Sequence, residues 1–139
     1  MPTTAANKIV RDLFSLVQFL REQVKAEHGA FALSIVHFQA LSYIYNTKNP
    51  LMREVAHFLA VTPPSATSLV NTLIRHKLVS RVVDEQDRRI VRLKLTRIGN
   101  HLLADRFGIV SRALAKKMSV LSKTEQATFS RLLNSLTNP

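Results

Sequence analysis

The chain has 139 residues, of which 20 are Lys or Arg and nine are Asp or Glu, so its formal net charge is +11 at pH 7. With 46% hydrophobic and 21% charged residues it has a globular composition. The absence of cysteine excludes disulfides, thiolate zinc sites and iron–sulfur clusters, and three glycines are too few for a Gly-rich phosphate loop.

The sequence predicts three helices before residue 61, and the first is amphipathic because its apolar residues recur at steps of three and four. The first helix is expected to end near Gly29, and its apolar residues are Ile9, Leu13, Leu16, Val17, Leu20 and Val24. The second begins after Ser34, a good N-cap residue, and residues 46–50 form the turn that follows it. The third covers residues 52–60 and is expected to bury Val55, Ala56, Phe58 and Leu59.

A fourth helix has one apolar and one polar face. Thr62 is its predicted N-cap, and Pro63 takes the first helical position, where a missing N–H costs nothing. The apolar face consists of Ala66, Leu69, Val70, Leu73 and Ile74. The opposite face holds Pro64, Ser68, Asn71 and Arg75, flanked by Thr67 and Thr72.

After this helix the apolar period changes to two, which predicts a β-hairpin. Residues 78–83 form its first strand, Val91, Leu93 and Leu95 alternate with polar residues in its second, and residues 84–89 form a polar tip. Thr96 then caps a long fifth helix, and Ser122-Lys123-Thr124-Glu125 is a capping box for a sixth. The predicted fold is mainly α with a small β-hairpin wing, in the order ααααββαα.

Basic residues concentrate beside the fourth helix. From Arg75 to Arg97 there are eight Lys or Arg and three Asp or Glu, and this surplus favours a polyanionic partner. Two short helices and a basic hairpin describe a winged helix-turn-helix, in which one helix enters the major groove of DNA. The predicted contacts are Ser65, Thr67, Ser68, Asn71, Thr72 and Arg75 on the helix, Arg88 and Arg89 in the minor groove, and Arg92 and Lys94 on phosphates.

At these residues the chain resembles the MarR (multiple antibiotic resistance regulator) family of bacterial transcription factors. The matching residues are Val55-Ala56, Thr62, Leu78-Val79-Ser80-Arg81, Asp87-Arg88-Arg89, Leu95-Thr96 and Gly99. The Asp-Xaa-Arg wing followed by Leu-Thr-Xaa-Xaa-Gly is the most specific part. The resemblance implies a single domain over residues 1–139, with a winged helix-turn-helix lobe at 33–97 and dimerisation helices at 1–32 and 98–139.

The resemblance also implies a function. Family members bind a pseudo-palindromic operator on double-stranded DNA as homodimers, usually as repressors, and a small molecule or an oxidant relieves the binding. Because cysteine is absent, the thiol-oxidation route is excluded. By the matching positions, the fourth helix reads the major groove, Arg89 enters the minor groove, and Asp87 holds the wing in shape by pairing with a neighbouring arginine.

Four residues depart from the family pattern. Ala60 and Lys77 stand where the family usually has glycine, Ile74 where it usually has glutamate, and Ser68 where arginine is frequent. If residue 60 needs a positive φ, alanine costs about 1–2 kcal/mol there. Because Ser68 leaves the reading face with little charge, we expect specificity to depend on Asn71 and the hydroxyls, and affinity to depend on the wing.

Other chemistry has little support in the sequence. The five histidines, His28, His37, His57, His76 and His101, show no metal-ligand spacing, and no serine lies in a nucleophile-elbow context. We therefore expect no enzymatic activity, no cofactor and no metal, and no motif locates an effector site. Phe38, Tyr43 and Tyr45 are expected in the core rather than around an effector.

Without a signal peptide or a membrane-length apolar run, we expect a soluble, cytoplasmic protein.

Three other functions remain open. A nonspecific architectural protein would also have a pI near 11.0, but genomic DNA would compete it off any chosen site. A protein-interaction module that grips an acidic partner with the hairpin would not retain DNA at about 150 mM salt. Membrane-surface binding through the first helix is disfavoured, because its polar face mixes Asp12 and Glu22 with Arg11 and Arg21.

Overall fold

A computed structural model describes residues 4–27 and 33–138. Within these ranges it contains α1 (Ala5–Glu27), α2 (Ile35–Thr47), α3 (Met52–Leu59), α4 (Pro63–Arg75), β1 (Val79–Val83), β2 (Val91–Leu95), α5 (Arg97–Met118) and α6 (Lys123–Thr137). The strands form one antiparallel hairpin in which Val79 pairs with Leu95 and Val83 with Val91. The predicted class and order, ααααββαα, are therefore confirmed. The predicted end of α1 near Gly29 falls outside the described residues.

The helices begin where the side chains can cap them. Each predicted N-cap, Ser34, Thr62, Thr96 and Ser122, accepts a hydrogen bond from the backbone amide three residues later. At Ser122 the capping box is complete, because the Glu125 carboxylate accepts from the Ser122 amide at 2.7 Å. Each cap satisfies an amide that has no partner inside its own helix.

Helices α3 and α4 both end in a left-handed residue that is not glycine. Ala60 has a φ of 52° and Lys77 a φ of 60°. In both cases the amide of the next residue donates to the carbonyl five residues back, at 3.1 Å after α3 and 2.9 Å after α4, which is the Schellman pattern. The positive φ considered for Ala60 is present, so a cost of about 1–2 kcal/mol applies at each position.

The chain divides into two compact units, one comprising Met1–Val24 with Gly108–Pro139 and the other comprising Lys25–Phe107. We call the second unit the winged lobe. Its core consists of Ala40, Leu41, Ile44, Val55, Val70, Leu73, Leu78, Val79, Leu93, Leu95 and Leu103. The first part of α5 contributes to this core, because Leu103 belongs to it and Leu102 packs against it.

Two aromatic side chains that the sequence predicts to be buried are exposed. Phe58 is 51% exposed and Tyr45 is 61% exposed, so the predicted burial of both is wrong. Helix α3 has only eight residues, and its buried face is Val55 and Ala56. Phe58 instead stacks on the half-buried Tyr43, with ring centroids 4.3 Å apart.

The start of α5 packs directly against the backbone of the hairpin. The Thr96 amide donates to the Leu78 carbonyl at 3.0 Å, and the Thr96 hydroxyl donates to the Lys77 carbonyl at 2.6 Å. A Cβ on Gly99 would lie 2.0 Å from the Leu78 carbonyl oxygen, so only glycine fits there without backbone movement. This contact gives a physical reason for the Leu-Thr-Xaa-Xaa-Gly sequence.

Candidate nucleic-acid interface

The polar face of α4 lies at the surface of the winged lobe. Ala66, Val70 and Leu73 are buried, which turns the opposite side of the helix outward. Six residues line one shallow depression on that side: Pro63, Pro64, Thr67, Ser68, Asn71 and Arg75. Ser65 is exposed and Thr72 is half-buried at the edges of this face. The structure therefore brings together the six helix residues predicted to contact DNA.

The threonine hydroxyls of this face are acceptors. Thr67 and Thr72 donate their hydroxyl protons to the carbonyl oxygens four residues earlier, at 3.0 and 3.1 Å. Since a hydroxyl carries one proton, each offers only lone pairs to a ligand in this conformation. Arg75 donates from Nη2 to the Thr72 hydroxyl at 3.0 Å and keeps its other N–H groups for a partner.

Asn71, at the centre of this face, is tied to the hairpin. Its Oδ1 accepts a hydrogen bond from Nη2 of Arg81, on β1, at 2.9 Å. Arg81 was not among the predicted contacts, although the alternation of side chains along β1 could have indicated that it lies on the side of the strand that faces α4. Residues 79 and 81 point to the same side of β1, and Val79 packs in the same core cluster as Val70 of α4.

Asp84 organises the base of the wing tip. Its Oδ1 accepts from the amides of Gln86 at 2.9 Å and Asp87 at 3.1 Å, and its Oδ2 accepts from Nε of Arg92 at 2.6 Å. These hydrogen bonds, above all the one from Arg92, hold the pKa of Asp84 below its ordinary value. Arg92 also donates to the Asn49 carbonyl at 3.2 Å. Arg92 is therefore engaged within the winged lobe, and its predicted phosphate contact depends on its remaining N–H groups.

At the end of the tip, the carboxylate of Asp87 accepts three hydrogen bonds from Arg89. Oδ1 of Asp87 accepts from the Arg89 amide at 3.0 Å and from its Nε at 3.1 Å, and Oδ2 accepts from Nη2 at 3.2 Å. The side-chain bonds from Arg89, and then the backbone bond, lower the pKa of Asp87. The Arg89 side chain is nevertheless 90% exposed. Arg88 and Lys94 are exposed as well.

The histidines show no metal centre within residues 4–27 and 33–138, where no group of three or more potential ligands occurs. His28 falls outside these ranges. Nδ1 of His37 and the Ser34 hydroxyl are joined by a hydrogen bond of 2.7 Å. Partial burial, and then the charge of His76, lower the pKa of His37.

No helix in the described part of the chain is long and apolar enough to cross a membrane.

Comparison with known proteins gives consistent matches. A family model described as the MarR family matches residues 33–90. The Bacillus subtilis (strain 168) protein YsmB, described as an uncharacterized HTH-type transcriptional regulator, is 22% identical over 113 residues, covering 81% of this chain and 73% of YsmB.

Two solved structures illustrate the match in fold. A MarR family protein from Bacillus stearothermophilus has a TM-score of 0.81 and 25% identity, covering 94% of this chain and 89% of that one. The transcriptional repressor CouR, bound to a 23-mer DNA duplex, has a TM-score of 0.79 and 18% identity, covering 97% of this chain and 93% of that one. The six helices and the hairpin therefore form a known winged helix arrangement.

Proposed function

We propose that the chain, whose residues 33–90 match the model of the MarR family, is a DNA-binding repressor that binds a pseudo-palindromic operator as a homodimer. Binding of a small molecule then releases the operator, and the protein acts in the cytoplasm, where its DNA target is. The observation that carries the proposal is the position of the polar α4 face and the basic wing in one lobe.

The two parts suit two different features of the duplex. A major groove about 12 Å wide admits one α-helix, and the side chains on the outer face of α4 are small or polar. Ser68 and Asn71 offer groups that hydrogen-bond to base edges, and Arg75 adds the cation of this face. The wing tip carries Arg88 and Arg89, which suit a narrow and electronegative minor groove.

The charges of the wing and of α4 indicate different contributions to DNA binding. Lys94, Arg88 and Arg89 lie exposed on the wing, whereas Arg75 is the cation of the α4 face. The wing therefore supplies most of the salt-dependent affinity, with log K falling by about 0.9 per phosphate neutralised for each unit of log salt. Base preference depends on α4, and Asn71 is its central residue.

Exposed apolar side chains support the homodimer. In the first unit they are Ile9, Val10, Leu13, Phe14 and Val17 of α1, and Val120, Leu132, Leu133 and Leu136 of α6 and the segment before it. Phe14 is 70% exposed and Leu136 80%. Monomeric soluble proteins rarely leave such apolar sets in water, so a second copy of the chain is the proposed cover. A dimer places two recognition helices one DNA turn apart, about 34 Å, and demands a two-fold-related site.

The oligomeric state is measured by sedimentation with three variants. Phe14→Asp and Leu136→Asp place a charge among the residues proposed to be covered, so both should convert the dimer to monomers. Val83→Asp is the matched control, because Val83 is 53% exposed but lies on the wing. It should leave the dimer intact. A wild-type protein that sediments as a monomer at all concentrations contradicts the homodimer.

Selection of bound duplexes from a random pool tests the function as a whole. The proposal expects a recovered motif with two-fold symmetry, and that motif should survive competition with excess genomic DNA at physiological salt. If binding is tight but no motif emerges, the protein is a nonspecific architectural binder. If no duplex is retained at about 150 mM salt, the basic wing serves a protein partner instead.

A further inference from the structure

Arg81 is not one of the residues expected to contact DNA, yet it holds the central residue of the reading face. We propose that Arg81 is a specificity-determining positioning residue, which makes Asn71 a hydrogen-bond donor toward the major groove and thereby favours guanine over adenine at the base pair that Asn71 reads. The inference rests on the proposed DNA-reading function of α4 and adds the chemistry of one base contact to it.

The orientation of the Asn71 amide follows from the chemistry of its partner. A guanidinium has N–H donors and no acceptor, so the atom it contacts at 2.9 Å must be the amide oxygen and not the amide nitrogen. The amide is planar, and Nδ2 therefore lies on the other side of Cγ from Oδ1. The donor end of Asn71 is available to a ligand, while its acceptor end faces Arg81.

The backbone fixes both ends of this contact. Asn71 lies on the outer face of α4, in the depression it shares with Ser68 and Arg75. Arg81 is the middle residue of β1 and pairs with Leu93, which is buried in the core. Because both side chains project from regular elements of the winged lobe, the hydrogen bond joins two rigid supports rather than two loops.

A base that meets this pair encounters donors on both sides. The bidentate contact of asparagine with adenine needs the amide nitrogen to donate to N7 and the amide oxygen to accept from N6. An amide oxygen has a second lone pair, but an amino group that approaches it meets the N–H groups of Arg81 beside it. Guanine offers acceptors at both N7 and O6, so the donor end of Asn71 matches guanine, whereas the amino group of adenine would meet the N–H groups of Arg81 beside the Asn71 oxygen.

The test uses duplexes from the random-pool selection. The base pair that Asn71 reads is the one whose preference disappears in Asn71→Ala. Four duplexes that differ only at this base pair are then titrated with the full-length protein. Wild type should prefer guanine to adenine by about tenfold, the scale of one well-formed base contact. Arg81→Ala frees the amide oxygen and should shift this ratio toward adenine by about tenfold.

Two controls separate positioning from loss of charge. Lys94→Ala removes an exposed cation from the neighbouring strand, so it should weaken all four duplexes by the same factor. In the Asn71→Ala background, Arg81→Ala should lower affinity without changing any base ratio, because the residue it positions is gone. If Arg81→Ala fails to fold, Arg81→Met keeps the alkyl stem and removes the guanidinium.

The outcomes distinguish this inference from the function on which it rests. If no motif is recovered, the proposed function fails. If a motif is recovered but wild type prefers adenine at the base pair that Asn71 reads, the inference is overturned and the function stands. The same holds if the base ratio in Arg81→Ala equals the ratio in wild type.

Discussion

Gly99→Ala should destabilise the winged lobe by about 3 kcal/mol. The new Cβ would lie 2.0 Å from the Leu78 carbonyl oxygen and 2.9 Å from its carbonyl carbon, whereas ordinary contacts begin at 3.4 Å. The two backbones must separate by more than an ångström, which costs up to about 3 kcal/mol by overpacking. The movement also strains the hydrogen bond from the Thr96 amide to that oxygen, worth about 1 kcal/mol. The higher helix propensity of alanine offsets about 1 kcal/mol of this loss in the free energy of unfolding.

Gly108→Ala is the matched control in the same helix. Its Cβ would meet only the Nη1 atom of Arg112, at 3.2 Å, which is the end of a flexible side chain. This variant should therefore be more stable than wild type by up to about 1 kcal/mol, the helix propensity difference between the two residues. The opposite signs of the two changes isolate the effect of the Leu78 contact.

Denaturant unfolding followed by circular dichroism measures both free energies of unfolding. Amide exchange of the hairpin and of the start of α5 locates the change, since the contact lies there. Equal stability of Gly99→Ala and wild type would refute the reasoning from close approach. A shift of Gly99→Ala and Gly108→Ala in the same direction would refute it as well.

Four further outcomes are expected. Ala60→Gly should raise the free energy of unfolding by about 0.5–1 kcal/mol, because relief of the positive φ exceeds the added entropy of the unfolded chain; a decrease in a urea titration would contradict this. Lys77→Gly should behave in the same way, and the two gains should add when combined. Acid should loosen the wing: the pKa of Asp84 is lowered in the fold, so its stabilising effect is complete above the unfolded pKa near 3.9 and is lost as pH falls through the lower folded value. Amide protection factors at the tip, which compare exchange in the fold with exchange in the unfolded chain at the same pH, would exclude this if they were unchanged between pH 5 and pH 2. Arg89→Ala should weaken binding to duplexes with a narrow minor groove at the wing position and reduce the salt slope by about 1; an unchanged slope would remove Arg89 from the interface.

Local signals in the sequence predicted the element order and most helix starts. Ser34, Thr62 and Ser122 cap their helices through amides only three residues away, so the interaction is contained in a short segment. The change of period after residue 77 located the hairpin for the same reason, since alternation is a property of a single strand. Family resemblance added the pairing of Asp87 with a neighbouring arginine.

Contacts between distant segments were not predictable in this way. Arg92 donates to a carbonyl 43 residues away, and that contact exists only after the hairpin packs beside the turn that follows α2. The bond between Arg81 and Asn71 spans ten residues and depends on how β1 lies against α4. Phe58 matched a helical apolar pattern, but its side of the short α3 faces Tyr43 and solvent rather than the core.

Comparison of base preference in wild type and Asn71→Ala tests the central claim most directly. If the outer face of α4 reads the major groove, the variant should lose about 1–3 kcal/mol of discrimination at one base pair in each half-site and keep its preferences elsewhere. If every base preference of the selected motif is the same in both proteins, the assignment of the reading face is wrong.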